Sequence, residues 1–296
     1  MSQHDSIQLE SLTTDSFATL AGLLRDCCDK LELKPPPTSQ LGKFLTQCDF
    51  IAGFGSKGLF DTDGPAERNS KSLSDAFINY RAFTLLAKAL LFARDANDIG
   101  QYKQFLRKNI SETHGLDHQS LDRIFELVVA GSMATTGWNV SFAEPDVIVT
   151  PPEPMPAFGI SCKRPRDIRS ASRIVEEAAK KIKDHKIYSC IVISTDIICA
   201  GTGPEYKSVY YQCETNAQLR QHLENRIEEQ LSALEKTIAK FANEYVIGII
   251  LTASASGVSK NPSAVVWARG IKAAPILTVP GFGTVTNFVK ERLNTI

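Results

Sequence analysis

The chain has 296 residues with 33 basic and 33 acidic side chains, a balance that leaves no molecule-wide charge for nucleic acid, so any such surface must be local. Seven cysteines, an odd number with neither paired disulfide spacing nor a C-x-x-C knuckle, read as reduced, mostly buried thiols of a cytoplasmic protein. The start MSQHDSIQLE is too polar for a signal peptide, and the longest apolar runs, near Val246 to Leu251, are too short to cross a bilayer.

In chain order, Phe17, Leu20, Leu23, Leu24 and Cys27 recur at helical spacing over 15–31, with Asp15 or Ser16 as the expected N-cap. Pro35 to Pro37 ends that helix, and a polar, glycine-containing loop follows over 53–72. Phe77, Tyr80, Phe83, Leu86, Leu90 and Leu91 give a helix over 74–94 a wide apolar face, and a short basic segment spans 101–110. Residues 1–115 are therefore expected to form a helical N-terminal module.

From 116 to 296 helices alternate with strands. A helix over 121–135 should stop at Gly137. Strands are expected at 138–142, 146–150, 157–163, 188–198 and 245–252, with a hairpin over 264–279. Helices over 170–185 and 219–241 separate them, the second carrying the stripe Leu219, Leu223, Ile227, Leu231, Leu234, Ile238 and Phe241. Nearly continuous apolar strands between helices predict an α/β domain whose sheet is covered on both faces. The stripe serves core or a homodimer interface, core being the commoner use.

The chemistry gathers in EPDVIVTPPEPMPAFGISCKRP, residues 144–165. Asp146 follows Pro145 into one apolar strand and Lys163 closes the next. A carboxylate can hold a hard divalent cation through oxygen, and a neighbouring ammonium can stabilise negative charge on a phosphodiester. This string resembles the PD-(D/E)xK nuclease superfamily over roughly residues 118–200. The likeness includes a preceding helix with a glutamate, Glu126 in RIFELVVAGSMATTGWNV, and the CKRP ending at Pro165. It implies a restriction endonuclease-like mixed β-sheet flanked by helices, with Asp146 and Lys163 adjacent on one face.

The departure from that family is Ser161, which stands where the second motif acid belongs and supplies a hydroxyl but no charge. Some restriction enzymes of the superfamily carry Ser-x-Lys here and take the acid from the following helix. Glu176 and Glu177 lie 13 and 14 positions beyond Lys163 in SASRIVEEAAKKIKDH. Consecutive helical residues point about 100° apart, so only one can face the sheet. Spacing favours Glu177. Glu126 is a second source, while Glu144 and Glu153 are weaker ones.

The resemblance thus implies a Mg²⁺ ion, with Mn²⁺ as substitute, held by Asp146, by Glu177 or Glu126, and by the Cys162 carbonyl, with Lys163 as the catalytic ammonium. Asp146→Ala and Lys163→Ala are expected to abolish cleavage and leave the fold intact. Nine basic against four acidic residues between Lys163 and Lys186 offer a local surface for nucleic acid, taken as double-stranded DNA. Arg164, Arg166, Arg169 and Arg173 are its expected phosphate contacts. The expected function is a Mg²⁺-dependent DNA endonuclease of a restriction or defence system. The alternative is a catalytically inactive member of that fold, acting as a nucleic-acid-binding or regulatory subunit.

Two further patterns are weaker. Gly53-Phe54-Gly55-Ser56-Lys57-Gly58 fits GxGxxG, but no capped helix opens after it, so a loop is the better reading. His114 and His118 are spaced like a zinc pair, with Gly115 between them in a turn-like stretch.

Overall fold

The computed structural model describes residues 6–53, 80, 83–84, 86–92, 118–134, 136–165, 168–195, 211–238, 243–261, 263–277 and 279–294. The basic segment 101–110, His114, Arg166 and the glycine loop beyond Gly53 lie outside them. No helix among the described residues is long and apolar enough to cross a membrane.

The chain divides into two compact units. One contains residues 11–131 with 259–265, and the other 1–10, 132–258 and 266–296. The division expected at 115 therefore moves to 131, taking most of the helix that carries Glu126 with the first unit, and the N-terminal segment is not purely helical.

In the first unit, α1 (Thr14–Lys30) is capped by Thr13 rather than by Asp15 or Ser16. The Thr13 side chain accepts from the Ser16 N–H while the Ser16 hydroxyl accepts from the Thr13 N–H, a reciprocal box that satisfies two otherwise orphan donors. Its buried face is Phe17, Leu20, Ala21, Leu24, Cys27 and Cys28. A helix that the sequence reading left out, α2 (Gln40–Ala52), starts at the N-cap Ser39 and packs on α1, with Arg25 forked onto Asp49 at 2.7 and 2.6 Å. Phe44 stacks on Phe83 at 4.1 Å, and the Phe17 and Tyr80 rings meet edge-on at 4.9 Å. The helix α3 (His118–Ala134) follows.

The second unit is built on one mixed sheet, eight-stranded among the described residues: β1 (Ser6–Leu12), β2 (Asn139–Ser141), β3 (Val147–Thr150), β4 (Phe158–Lys163), β5 (Ser189–Ser194), β6 (Tyr211–Thr215), β7 (Val246–Asn261) and β8 (Ser263–Pro275). The spatial order is β1-β8-β7-β5-β4-β3-β2, with β6 also on β7. β2, β3 and β4 form an antiparallel meander, whereas β4, β5 and β7 run parallel. The first of these parallel crossovers carries α4 (Ile168–His185) and the second α5 (Asn216–Ile238). The strand β7 runs nine residues past the expected Thr252. Its continuation, ASASGVSKN, has no apolar run, and pairing with β8 extends it.

Alternation along the strands sorts the two faces. Ile191 and Ile193 of β5 and Ile249, Leu251 and Ala253 of β7 bury against Ala171, Val175, Ala178, Ala179 and Ile182 of α4 and Leu219, Leu223, Ile227 and Leu231 of α5. At roughly 25 cal/mol per Å² of apolar surface this layer is a main source of the unit's stability, and it accounts for the Leu219 to Leu231 part of the stripe as core. The other face is covered by α6 (Val285–Asn294) through Val285, Thr286, Val289 and Leu293. Gly248 permits that approach: a Cβ there would lie 2.2 Å from Thr286 Oγ1.

Candidate functional site

The site forms where β3 begins beside the end of β4. The antiparallel register pairs Val147 with Ile160, so Asp146, one residue earlier, comes opposite Ser161. The parallel register pairs Ser161 with Ile191 and Lys163 with Ile193, both of which point into the α4 and α5 layer. With a side-chain period of two, Ser161 and Lys163 share that face with Asp146, and Ile160 and Cys162 point to the other. Close approach needs Gly159, where a Cβ would fall 2.8 Å from Pro145 Cδ and 2.4 Å from Ser189 Oγ.

Asp146 is 9% exposed and each of its carboxylate oxygens is engaged. Oδ2 accepts from the Lys163 ammonium at 2.7 Å, the Cys162 N–H at 2.8 Å and the Ser161 hydroxyl at 3.0 Å. Oδ1 accepts from Lys181 of α4 at 3.3 Å. The Lys181 ammonium also donates to the Pro145 carbonyl at 2.7 Å and pairs with the Glu144 carboxylate. Burial by itself depresses the Lys181 pKa, but the hydrogen bond to Glu144 and the charge and hydrogen bond of Asp146 outweigh it and leave it above its ordinary value.

Asp146 and Lys163 thus meet as expected of adjacent strands, and Ser161 and the Cys162 backbone join them. Glu177 is not drawn in: its carboxylate is 63% exposed and lies 3.6 Å from Arg173. Glu176 is exposed as well. Among the described residues no three His, Cys, Asp or Glu side chains gather as a metal-binding group. Glu126 sits half-buried on α3, in the first unit, and Glu153 is exposed in the turn between β3 and β4. Of the four arginines, Arg173 is exposed, Arg164 is half-buried, and the Arg169 side chain lies outside the described residues with Arg166. His118 opens α3, its side chain likewise outside.

Sequence reasoning missed Lys181 and underrated Glu144. The one signal was spacing, since Lys181 follows Glu177 by four residues and so lies on the same helix edge. That edge is the one that reaches Asp146. A helix crossing between parallel strands runs back against them, so one turn from Lys181 toward Glu177 runs the same way as Ser161 to Lys163. Glu177 therefore stands about one helical turn along the edge from Lys181.

The oxygen donors present suit a hard cation. Lys181 Nζ, itself a cation, is held by the Glu144 carboxylate, the Pro145 carbonyl and Asp146 Oδ1, an all-oxygen set of the kind Mg²⁺ and Mn²⁺ prefer. No protein-family model, curated protein or solved structure matches this chain.

Proposed function

We propose that the protein is a Mg²⁺-dependent endonuclease of the PD-(D/E)xK, restriction endonuclease-like kind, hydrolysing DNA phosphodiester bonds in a restriction or defence setting. The carrying observation is the convergence of Asp146, Ser161 and Lys163 on one sheet face beneath the helix edge that bears Glu177 and Lys181. Asp146 and Glu177, with Glu144 or the Cys162 carbonyl as further oxygen donors, would hold the ion. Bound Mg²⁺ or Mn²⁺ supplies a lowered water pKa and charge neutralisation at the scissile phosphate. The Lys163 ammonium would stabilise charge building on the phosphoryl oxygens as the water oxygen bonds to phosphorus and gives its proton to solvent, while the leaving oxygen departs with its electron pair and takes a proton from solvent. Asp146 keeps that ammonium in place, and Ser161 and the Cys162 N–H keep Asp146 in place. The exposed Arg173, and Arg164, Arg166 and Arg169 before it in sequence, would meet the phosphates of a duplex.

One observation favours the alternative, an inactive nuclease-like fold serving as a nucleic-acid-binding or regulatory subunit: two ammonium groups and a hydroxyl already satisfy Asp146. Supercoiled plasmid incubated with Mg²⁺ or Mn²⁺ distinguishes the two. Nicking that is lost in Lys163→Ala supports the nuclease. Absence of cleavage together with absence of Mn²⁺ binding supports the subunit.

A further inference from the structure

We propose that Lys181 is a tethered cation that competes with the divalent metal for the oxygens of Glu144, Pro145 and Asp146, so that metal loads the site by displacing it. This rests on the metal-dependent reading above and adds a residue that the motif does not contain.

The two oxygens of Asp146 are used differently. Oδ2 is filled by three donors from β4, namely Lys163, the Cys162 N–H and the Ser161 hydroxyl, and these brace the carboxylate whatever else binds. Oδ1 faces α4 and receives Lys181 at 3.3 Å, the longest contact of the set. It is the oxygen that an incoming cation would take. The same ammonium covers the Pro145 carbonyl at 2.7 Å and the Glu144 carboxylate. Its side chain is 34% exposed, against 21% for Lys163, so it can withdraw into water without being left buried and unpaired.

Charge gives the same direction. Glu144 and Asp146 carry two negative charges, balanced by Lys163 and Lys181. A dication added to that neutral group would leave it at plus two. If Lys181 leaves and Glu177 turns inward, three carboxylates face one ammonium and one dication, and the sum is again zero. The exchange needs only side-chain rotation on one edge of α4, because the departing lysine and the arriving glutamate are four residues apart.

The test uses the full chain with Mn²⁺ as probe. Lys181→Gln removes the charge at similar length and Lys181→Arg keeps it. Mn²⁺ affinity is read by electron paramagnetic resonance of the free ion, at fixed ionic strength and without DNA. Lys181→Gln is expected to bind at least tenfold more tightly than wild type, with Lys181→Arg near wild type, and detectable Mn²⁺ binding by Lys181→Gln where wild type shows none also supports the proposal. Equal or weaker binding by a folded Lys181→Gln, while wild type binds Mn²⁺, overturns it and leaves the metal-dependent reading standing. If neither binds, both fall.

Should Lys181→Gln not fold, the wild type answers by itself. Acetylation of Lys181 by an amine-reactive ester, mapped by peptide mass spectrometry, should rise severalfold on adding Mn²⁺. Unchanged labelling with Mn²⁺ bound overturns the proposal, and absence of Mn²⁺ binding removes it together with the reading beneath it.

Discussion

Asp146→Ala tests how much of the site is architecture. At 9% exposure this side chain is no surface polar group, and the expectation that its removal leaves the fold intact has to be revised. Truncation strands the Cys162 N–H inside the sheet at about 1–3 kcal/mol. It deprives the fully buried Ser161 hydroxyl of its acceptor at about 1 kcal/mol, part of which rotation toward another acceptor recovers. Lys163 keeps partial access to water, so loss of its ion pair is discounted to about 0.5–1 kcal/mol, and Lys181 retains Glu144 and the Pro145 carbonyl. The sum is roughly 3 kcal/mol, which a denaturation slope of about 3 kcal/mol per molar urea turns into a midpoint lower by about 1 M. Equilibrium unfolding followed by circular dichroism in EDTA measures it. A cost below about 1 kcal/mol would mean that water or a neighbouring acceptor replaces the carboxylate freely, and the bracing role assigned to it would be wrong. The activity of Asp146→Ala should accordingly be scored on protein shown to be folded.

Lys163→Ala should cut DNA cleavage at least a hundredfold with a smaller stability loss than Asp146→Ala, a comparison that plasmid nicking and urea melts make together. Glu177→Gln is expected to weaken Mn²⁺ binding tenfold or more, because the neutral amide is a poorer partner for the ion, while Glu176→Gln stays within twofold; titration calorimetry decides between them. Ser161→Glu places a second carboxylate against Asp146 in a fully buried position, so its melting temperature should fall in EDTA and recover substantially with Mn²⁺. Burial pushes the Cys190 thiol up to about 12 from an ordinary value of 9.0, with a bond to Thr286 opposing. Between those values the unfolded chain gives up this proton while the native state keeps it, so the contribution of Cys190 is intact below pH 9 and declines as pH rises, by roughly 1.4 kcal/mol per unit. Urea melts at pH 8.5 and 10.5 should show wild type losing more stability over that interval than Cys190→Ala, and equal losses would contradict it.

What was legible in the sequence depended on range. Strand alternation needs only neighbours, so the short apolar runs ending at Thr150 and Lys163 disclosed both strands, and a tight connection made them antiparallel partners that bring Asp146 opposite Ser161. The stripe from Leu219 to Leu231 was equally readable as a buried face, and its packing against β5 and β7 decides for core over a homodimer interface. The polar strand β1 was not, because it exists by pairing with β8, more than 250 residues on, and its own residues do not demand it. The helix α2 was missed for another reason: its cap Ser39 comes just after Pro35 to Pro37 and Thr38, and turn chemistry masked the start signal.

Lys181 is the instructive failure. A lysine in a charged amphipathic helix ordinarily reads as solvated, and the carboxylate four residues before it, Glu177, pairs with Arg173 instead. Its partners are Glu144 and Asp146, 37 and 35 positions earlier, joined to it only because α4 packs back across the strands and Gly159 lets the Pro145 segment settle against β4. A motif reading sees the residues that chemistry requires, since their types and spacing are constrained by the strands that carry them. It cannot see the charge that balances them before the ligand arrives, because any lysine within reach would serve. On the metal-dependent reading proposed above, that balancing charge decides how strongly the empty and the loaded states compete.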